Sequence, residues 1–251
     1  MKKLFASGPL FIALAAILWG LDGILRRSLF SLPPIIIVFY EHLIGAIIIA
    51  PFFFSKWKEE KLTRGEWGAI IFVSLLSGVL GTLWFTTALL KVNFISFSVV
   101  LLLQKLQPLF AIAAAAILLK ERVTKQYIGW AVLALVAAFF VTFKNGVVNF
   151  GEGNGTIIAA LFALGAAFAW GTSTAFSRFA LLKHSHTVIT GPRFFITIPF
   201  ALLLIPFLGT TADLASPTNS QLLRLCIIAL STGMVALWIY YRGLKTTETK
   251  V

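Results

Sequence analysis

The sequence predicts an all-α polytopic membrane protein. It reads as an inverted repeat of five-helix units, with five helices of the first unit and three of the second present, and with a cytoplasmic N-terminus. Three observations carry this. The 251 residues are 59% hydrophobic and only 12% charged, with a mean hydropathy of +0.95. A soluble domain carries about 25% charged residues, so this chain has too little polar surface to cover itself in water. Eight apolar stretches approach the roughly 20 residues that a helix needs to cross a bilayer, and two pairs of stretches match one another at a nearly constant offset.

In chain order the stretches lie at about 9–25, 33–54, 68–90, 94–119, 126–143, 157–180, 187–209 and 221–243. Lys2 and Lys3 ahead of the first resemble a secretory leader, but seven more apolar runs follow, so the first reads as a retained helix. SLPP (31–34) breaks the chain before the second, and SKWKEEKLTRGE (55–66) is a polar joint before the third. The fourth opens into Gln104, Lys105, Gln107 and Pro108 and closes on Lys120-Glu121-Arg122, a turn in which Glu121 can pair with either neighbour. KNGVVNFGEGNG (144–155) separates the fifth stretch from the sixth, and TTADLASPTNS (210–220) the seventh from the eighth. The one cysteine, Cys226, lies in an apolar run and reads as a packing residue, which leaves no disulfide framework and no Cys-based metal site.

Basic residues orient the spans, because cytoplasmic joints collect Lys and Arg. With the N-terminus inside, fourteen of them, from Lys2 to Lys250, fall on inner segments. Arg26, Arg27, Lys91 and Lys144 fall on outer joints, and Lys105, Arg193 and Arg224 fall within spans. The net charge of +12 is therefore a topology signal spread over one face. It forms no basic stripe interleaved with aromatics, so nucleic acid is excluded as a partner.

The repeat appears when Trp19-Gly20 is laid on Trp170-Gly171 and Arg27 on Arg178, a shift of 151 residues. LWFTTALLK (83–91) then meets LWIYYRGLK (237–245) at a shift of 154. A first copy of five spans obliges the second to run with opposite topology. Inverted repeats of this kind are typical of secondary transporters, whose substrate sites lie near the midplane between the halves. The division expected is a first unit at 1–143, an outer linker at 144–156 and a partial second unit at 157–251.

The stretch PLFAIAAAAILLKERVTKQYIGW (108–130) resembles the fourth and fifth helices of the EamA repeat of the drug/metabolite transporter superfamily. The Trp-Gly pairs of the first and sixth spans and the proline-ended second span, Glu41 to Pro51, support the likeness. The resemblance implies ten helices in two inverted halves, the ninth and tenth lying outside this sequence. It also implies a secondary carrier of small organic metabolites, such as amino acids or related compounds, of a kind that often works outward; the short joints fit a prokaryotic plasma (inner) membrane.

Candidate site residues follow from charge inside the bilayer. An ionisable side chain at mid-span costs about 3 kcal/mol, so it faces the bundle interior and finds a partner. At about 1.5 Å rise per residue, Asp22, Glu41 and Lys105 fall within several ångströms of one depth. They are expected on one polar wall with Gln104, Gln107 and His42 nearby. Glu41 or Asp22 would carry a coupled proton with Lys105 as its counter-charge, or the three form a static ion pair. Arg193 binds a substrate carboxylate or snorkels to the inner surface. Trp19 and Trp170, both near mid-depth, make an aromatic wall or simply pack. Pro108 removes a helical hydrogen bond and kinks the fourth span, shaping a cavity or leaving only a bend. His42 reads as a packing residue.

No G-x-x-x-x-G-K-[ST] loop, H-E-x-x-H pair or G-x-S-x-G elbow occurs, and the three histidines are scattered. Neither an enzyme, a cofactor nor a bound metal is therefore expected. The expected partners are a small-molecule metabolite, lipid and protons, with a homodimer left open. Two other readings stay open at this level: a membrane-embedded enzyme, and a non-transporting fragment or subunit that takes helices from a partner.

Overall fold

The computed structural model describes residues 8–91, 96–143, 146–147, 155–209, 214 and 217–247. These residues are helical almost throughout, and they form eight spans long and apolar enough to cross a membrane: Gly8–Arg27, Pro34–Trp57, Arg64–Leu90, Phe97–Leu118, Lys125–Thr142, Gly155–Leu181, His186–Leu208 and Asn219–Leu244. All eight predicted stretches are therefore helices, with the first extended to Arg27. Outward faces carry Ile17, Ile24, Phe54, Ile117, Phe140, Leu203 and Phe207, all exposed. A water-facing surface does not tolerate apolar area on this scale.

Four spans are uninterrupted: α3 (Pro34–Trp57), α8 (Lys125–Thr142), α9 (Gly155–Leu181) and α10 (His186–Leu208). The other four are broken. The first consists of α1 (Gly8–Gly20) and α2 (Asp22–Arg27), parted at Leu21. The third runs through α4 (Arg64–Val73), a π-helical stretch at Ser74–Gly81, and α5 (Thr82–Leu90). The fourth is α6 (Phe97–Gln104) and α7 (Gln107–Leu118), and the eighth is α11 (Asn219–Leu230) and α12 (Met234–Leu244). Pro108 stands in the first turn of α7, where a missing N–H costs nothing. The fourth span thus restarts at Lys105-Leu106, and does not bend within one continuous helix.

Span starts are fixed by side-chain caps. Thr63 and Glu66 form a reciprocal box at α4, and Thr218 and Gln221 form another at α11. Ser96, Thr124 and Ser185 cap α6, α8 and α10 through their hydroxyls. Each cap satisfies an otherwise orphan N–H at a helix end.

Packing is closest between α3 and α10, between α7 and α9, and between α1 and α12. Small residues allow it, as is usual between helices in lipid. A Cβ on Gly171 would lie 2.5 Å from the Gln107 carbonyl, and one on Gly243 would lie 2.5 Å from the Gly8 carbonyl. Ala46, Ile49, Ile189, Phe194 and Tyr241 form one buried cluster; Phe85, Leu103, Ala163 and Ala166 belong to another. By contrast α8 buries only Ala138.

The two ends of the bundle are tied differently. On the face that holds residue 8, His184 lies between two carboxylates: its Nδ1 is 3.1 Å from Glu60 Oε2 and its Nε2 3.0 Å from Glu66 Oε2. Both contacts are hydrogen bonds only when both ring nitrogens carry protons. The Ser185 N–H donates to Glu60 at 2.8 Å, Lys183 stands 3.8 Å from Glu66, and Arg178 pairs with Glu121. Glu121 thus reaches across to the sixth span. On the opposite face Gln221 donates to Ser31 at 2.7 Å and Arg224 to the Ser28 carbonyl at 2.5 Å, while Tyr40 donates to the Leu214 carbonyl.

Candidate functional site

All four interrupted spans break beside one central cavity of about 1000 Å³ including its mouth. It is lined by seven of the eight spans; the fifth supplies no lining residue. Irregular backbone at membrane depth is tolerated where it lines such a cavity, and broken helices frame the midplane sites of carriers. The breaks put polar atoms where regular helices would keep them in the ladder. In the eighth span the turn at Ser231–Gly233 aims the Thr232 hydroxyl at Asp22 Oδ1, 2.6 Å away. In the third, the Ser77 carbonyl accepts from Thr82 Oγ1 at 3.3 Å and from Trp170 Nε1 at 3.2 Å.

The core of the site is a buried triad. Arg26 Nε donates to Asp22 Oδ2 at 2.6 Å and its Nη2 to Glu41 Oε2 at 2.8 Å. All three residues are buried, at 7% exposure or less. Asp22 and Arg26 stand one turn apart on α2, and Glu41 faces them from α3. Arg26 is always charged, so two carboxylates around one guanidinium give an ion cluster that is tolerable away from water only while it stays intact.

This overturns one sequence expectation. Arg26 does not lie in the outer joint: the first span continues past Leu21, and Asp22 and Glu41 neutralise the charge that would otherwise have kept Arg26 in water. Lys105, on which Asp22 acts only through space, contacts neither acid directly. Its side chain is exposed at the cavity rim, and among the described residues it makes no ion pair. Arg26 reaches both acids first.

Arg193 does not snorkel. It is 8% exposed, with Nη1 on the Tyr241 hydroxyl and Nη2 on the Ser77 hydroxyl, each at 2.5 Å. Ser177 shares a 2.5 Å hydrogen bond with that same tyrosine. Gln104 is buried at the cavity and donates to Gln107 at 3.0 Å. Trp19 lines one side, its ring 5.0 Å from Tyr240. Trp170 lines another, with Phe85 at 5.2 Å. His42 holds the Val38 carbonyl through Nδ1 at 2.8 Å and lies against Phe194, also on the cavity wall.

Of the residues singled out in the sequence, Asp22, Glu41, Lys105, Gln104, Trp19, Trp170 and Arg193 all line this one cavity. Arg26, Ser77, Thr232, Tyr240 and Tyr241 were not anticipated. Asp22 and Arg26 do carry a signal, since opposite charges four residues apart share a helix face. The hydroxyls carry none, because serine, threonine and tyrosine are common in apolar helices.

A bundle of eight apolar spans around a central polar cavity with broken helices defines a membrane carrier. Residues 6–143 and 157–251 match the EamA-like transporter family, and the chain belongs to it. The riboflavin transporter ImpX of Fusobacterium nucleatum is 37% identical over 251 residues, which is 98% of this chain and 83% of that protein. The pseudopaline exporter CntI of Pseudomonas aeruginosa is 23% identical over 235 residues, 93% of this chain and 76% of its own length. A crystal structure that is 17% identical superposes with a TM-score of 0.68, covering 97% of this chain and 80% of the other, and shows a shared fold. The protein is an integral protein of a prokaryotic inner membrane.

Proposed function

We propose that this chain is a secondary carrier for a flat heteroaromatic metabolite of the riboflavin class. The observation that supports it best is the 37% identity to a riboflavin transporter over nearly the whole chain. The cavity suits such a cargo. Trp19, Trp170, Phe85, Phe194 and Tyr240 supply aromatic walls for a flat ring. Amino acids, the narrower class suggested by the sequence, need less aromatic surface than this.

In this reading the two copies, 1–143 and 157–251, are inverted about the cavity, with the N-terminus cytoplasmic and 144–156 as the outer linker. The Asp22–Arg26–Glu41 cluster is the coupling element: two carboxylates share one cation, and a proton on either leaves the cluster neutral in the bilayer core. Outward movement is the direction implied by the family resemblance and carried in the name of the pseudopaline exporter.

Counterflow of labelled riboflavin into proteoliposomes tests the substrate. Saturable uptake that unlabelled riboflavin accelerates from the far side supports the reading, and uptake no faster than in empty vesicles ends it. An imposed pH gradient then reads coupling, and sided vesicles read direction.

A further inference from the structure

Both buried carboxylates of the cavity are taken by Arg26, which leaves Arg193 in an unusual position. Its guanidinium is buried in the bilayer core and held only by two neutral hydroxyls, those of Ser77 and Tyr241. No carboxylate lies within ion-pair distance among the described residues, and Nε has no partner. An arginine cannot shed its proton, and a buried charge without a direct ion-pair partner is costly; Glu41 acts on it only through space. The fold nevertheless fixes it. Pro192 precedes it in α10, Ser77 comes from the π-helical stretch of the third span, and Tyr241 is pinned by Ser177 of the sixth.

The surroundings indicate what would complement this group. Each terminal nitrogen carries two hydrogens and makes one hydrogen bond, so donor capacity is left over in a planar fork. A planar pair of adjacent acceptor atoms matches that fork. Trp170 is bonded to the carbonyl of the same Ser77, and the Tyr240 ring lies 6.2 Å from that of Tyr241. With both acids ionised, Asp22 and Glu41 stand against Arg26, Arg193 and Lys105, and the lining then carries one net positive charge.

We infer that Arg193 is a specificity-determining residue that receives an oxygen-bearing, electron-rich edge of an aromatic substrate. The edge is either a carbonyl oxygen with its adjacent acceptor ring nitrogen, as a flavin ring presents, or a carboxylate. The inference rests on the carrier reading and adds the chemistry that the cavity selects. A purely structural Arg193 would only tie the third, seventh and eighth spans together, and its loss would weaken every ligand alike.

Equilibrium binding to the purified full chain separates these. The probes are riboflavin, which has the carbonyl edge; quinoline-2-carboxylate, which has a carboxylate; and acridine, a flat tricycle with no oxygen. Arg193→Gln is expected to weaken whichever oxygen probe the wild type binds by about tenfold or more, with acridine unchanged within about twofold. Arg193→Lys, which keeps the charge and loses the fork, is expected to fall between. It carries the test if the glutamine variant does not fold, as judged by thermal unfolding. Loss confined to riboflavin identifies the carbonyl edge. Loss confined to the carboxylate keeps the role of Arg193 and retires the riboflavin reading. Equal weakening of all three probes, no weakening of an oxygen probe, or a wild type that binds neither oxygen probe overturns the assignment.

Discussion

Arg26 and Glu41, 15 residues apart and on different spans, meet at 2.8 Å in the buried centre of the bundle. Asp22 holds the same guanidinium from one turn away. The link fixes the first span to the second at cavity depth. It also keeps three ionisable groups in a place where each alone would be expelled to water.

Removing the cation is therefore worse than removing one acid. Arg26→Met leaves two facing carboxylates with no counter-charge, and a loss of about 3 to 5 kcal/mol is expected. Glu41→Gln leaves the Asp22–Arg26 pair in place and costs less. Thermal unfolding in detergent should rank wild type above Glu41→Gln above Arg26→Met. The reverse order of the two variants would show that the cluster is not held by its cation.

The same Glu41→Gln variant separates binding from coupling. With one carboxylate gone, flux driven by a pH gradient should disappear while substrate counterflow at symmetrical pH persists. Proteoliposome transport under both conditions checks this, and a pH-driven flux equal to wild type would remove Glu41 from the coupling role.

Gly20 and Gly171 occupy matching places in the two Trp-Gly pairs but stand in different surroundings. A Cβ at Gly171 would meet the Gln107 carbonyl and Phe110, whereas Gly20 has nothing within 4 Å and lines the cavity. Gly171→Ala is expected to lower stability by about 1 to 3 kcal/mol through overpacking of α7 on α9. Gly20→Ala should leave stability within about 0.5 kcal/mol and alter substrate affinity alone. Unfolding curves and binding isotherms on the two variants decide it.

Trp170 couples the sixth span to the π-helical stretch of the third through its indole N–H. Trp170→Phe keeps most of the aromatic wall and loses that hydrogen bond, at an expected cost of about 1 kcal/mol. Trp170→Ala should in addition weaken a flat aromatic ligand, seen as a higher dissociation constant beside unchanged binding of a small polar solute.

Glu60, in the joint after the second span, gives a pH-dependent tether. Burial alone would raise its carboxyl, but the Ser185 N–H and the His184 ring outweigh that and hold it below the ordinary value of 4.5. A carboxyl lowered in the folded state adds stability above its unfolded value and gives it up as pH falls through the folded one. Wild type should exceed Glu60→Gln by about 1 kcal/mol at pH 7. That advantage should shrink as the pH is lowered through and below 4.5. A difference that stays constant down to the lowest pH would exclude this origin.

The sequence made the spans legible because hydropathy and length report directly on lipid exposure. Asp22, Glu41, Lys105 and Arg193 stood out for the opposite reason, as charges where apolar residues belong. What it hid were the interruptions. Leu21, Ser74–Gly81 and Ser231–Gly233 lie inside apolar runs with no proline to mark them, so the third and eighth spans read as continuous helices. Arg26 was misplaced because it precedes Arg27 near a span end, where a basic pair looks like a joint. Its depth depends on where Glu41 sits in the folded chain, which a one-dimensional pattern does not contain.

The described links on the face that holds residue 8 have a direction. Glu60, Glu66 and Glu121, all from the first five spans, supply the acids; Arg178, Lys183 and His184, from the last three, supply the bases. At the other face no described tie pairs opposite charges: an amide meets a hydroxyl, and the Arg224 guanidinium and the Tyr40 hydroxyl meet backbone carbonyls. Mobile ions act unequally on two such seams, because the Debye length falls from about 30 Å at 0.01 M to about 3 Å at 1 M. Rising electrolyte therefore acts on the first seam more than on the second, chiefly at the exposed Lys183. The two faces of the molecule thus meet dissolved salt unequally.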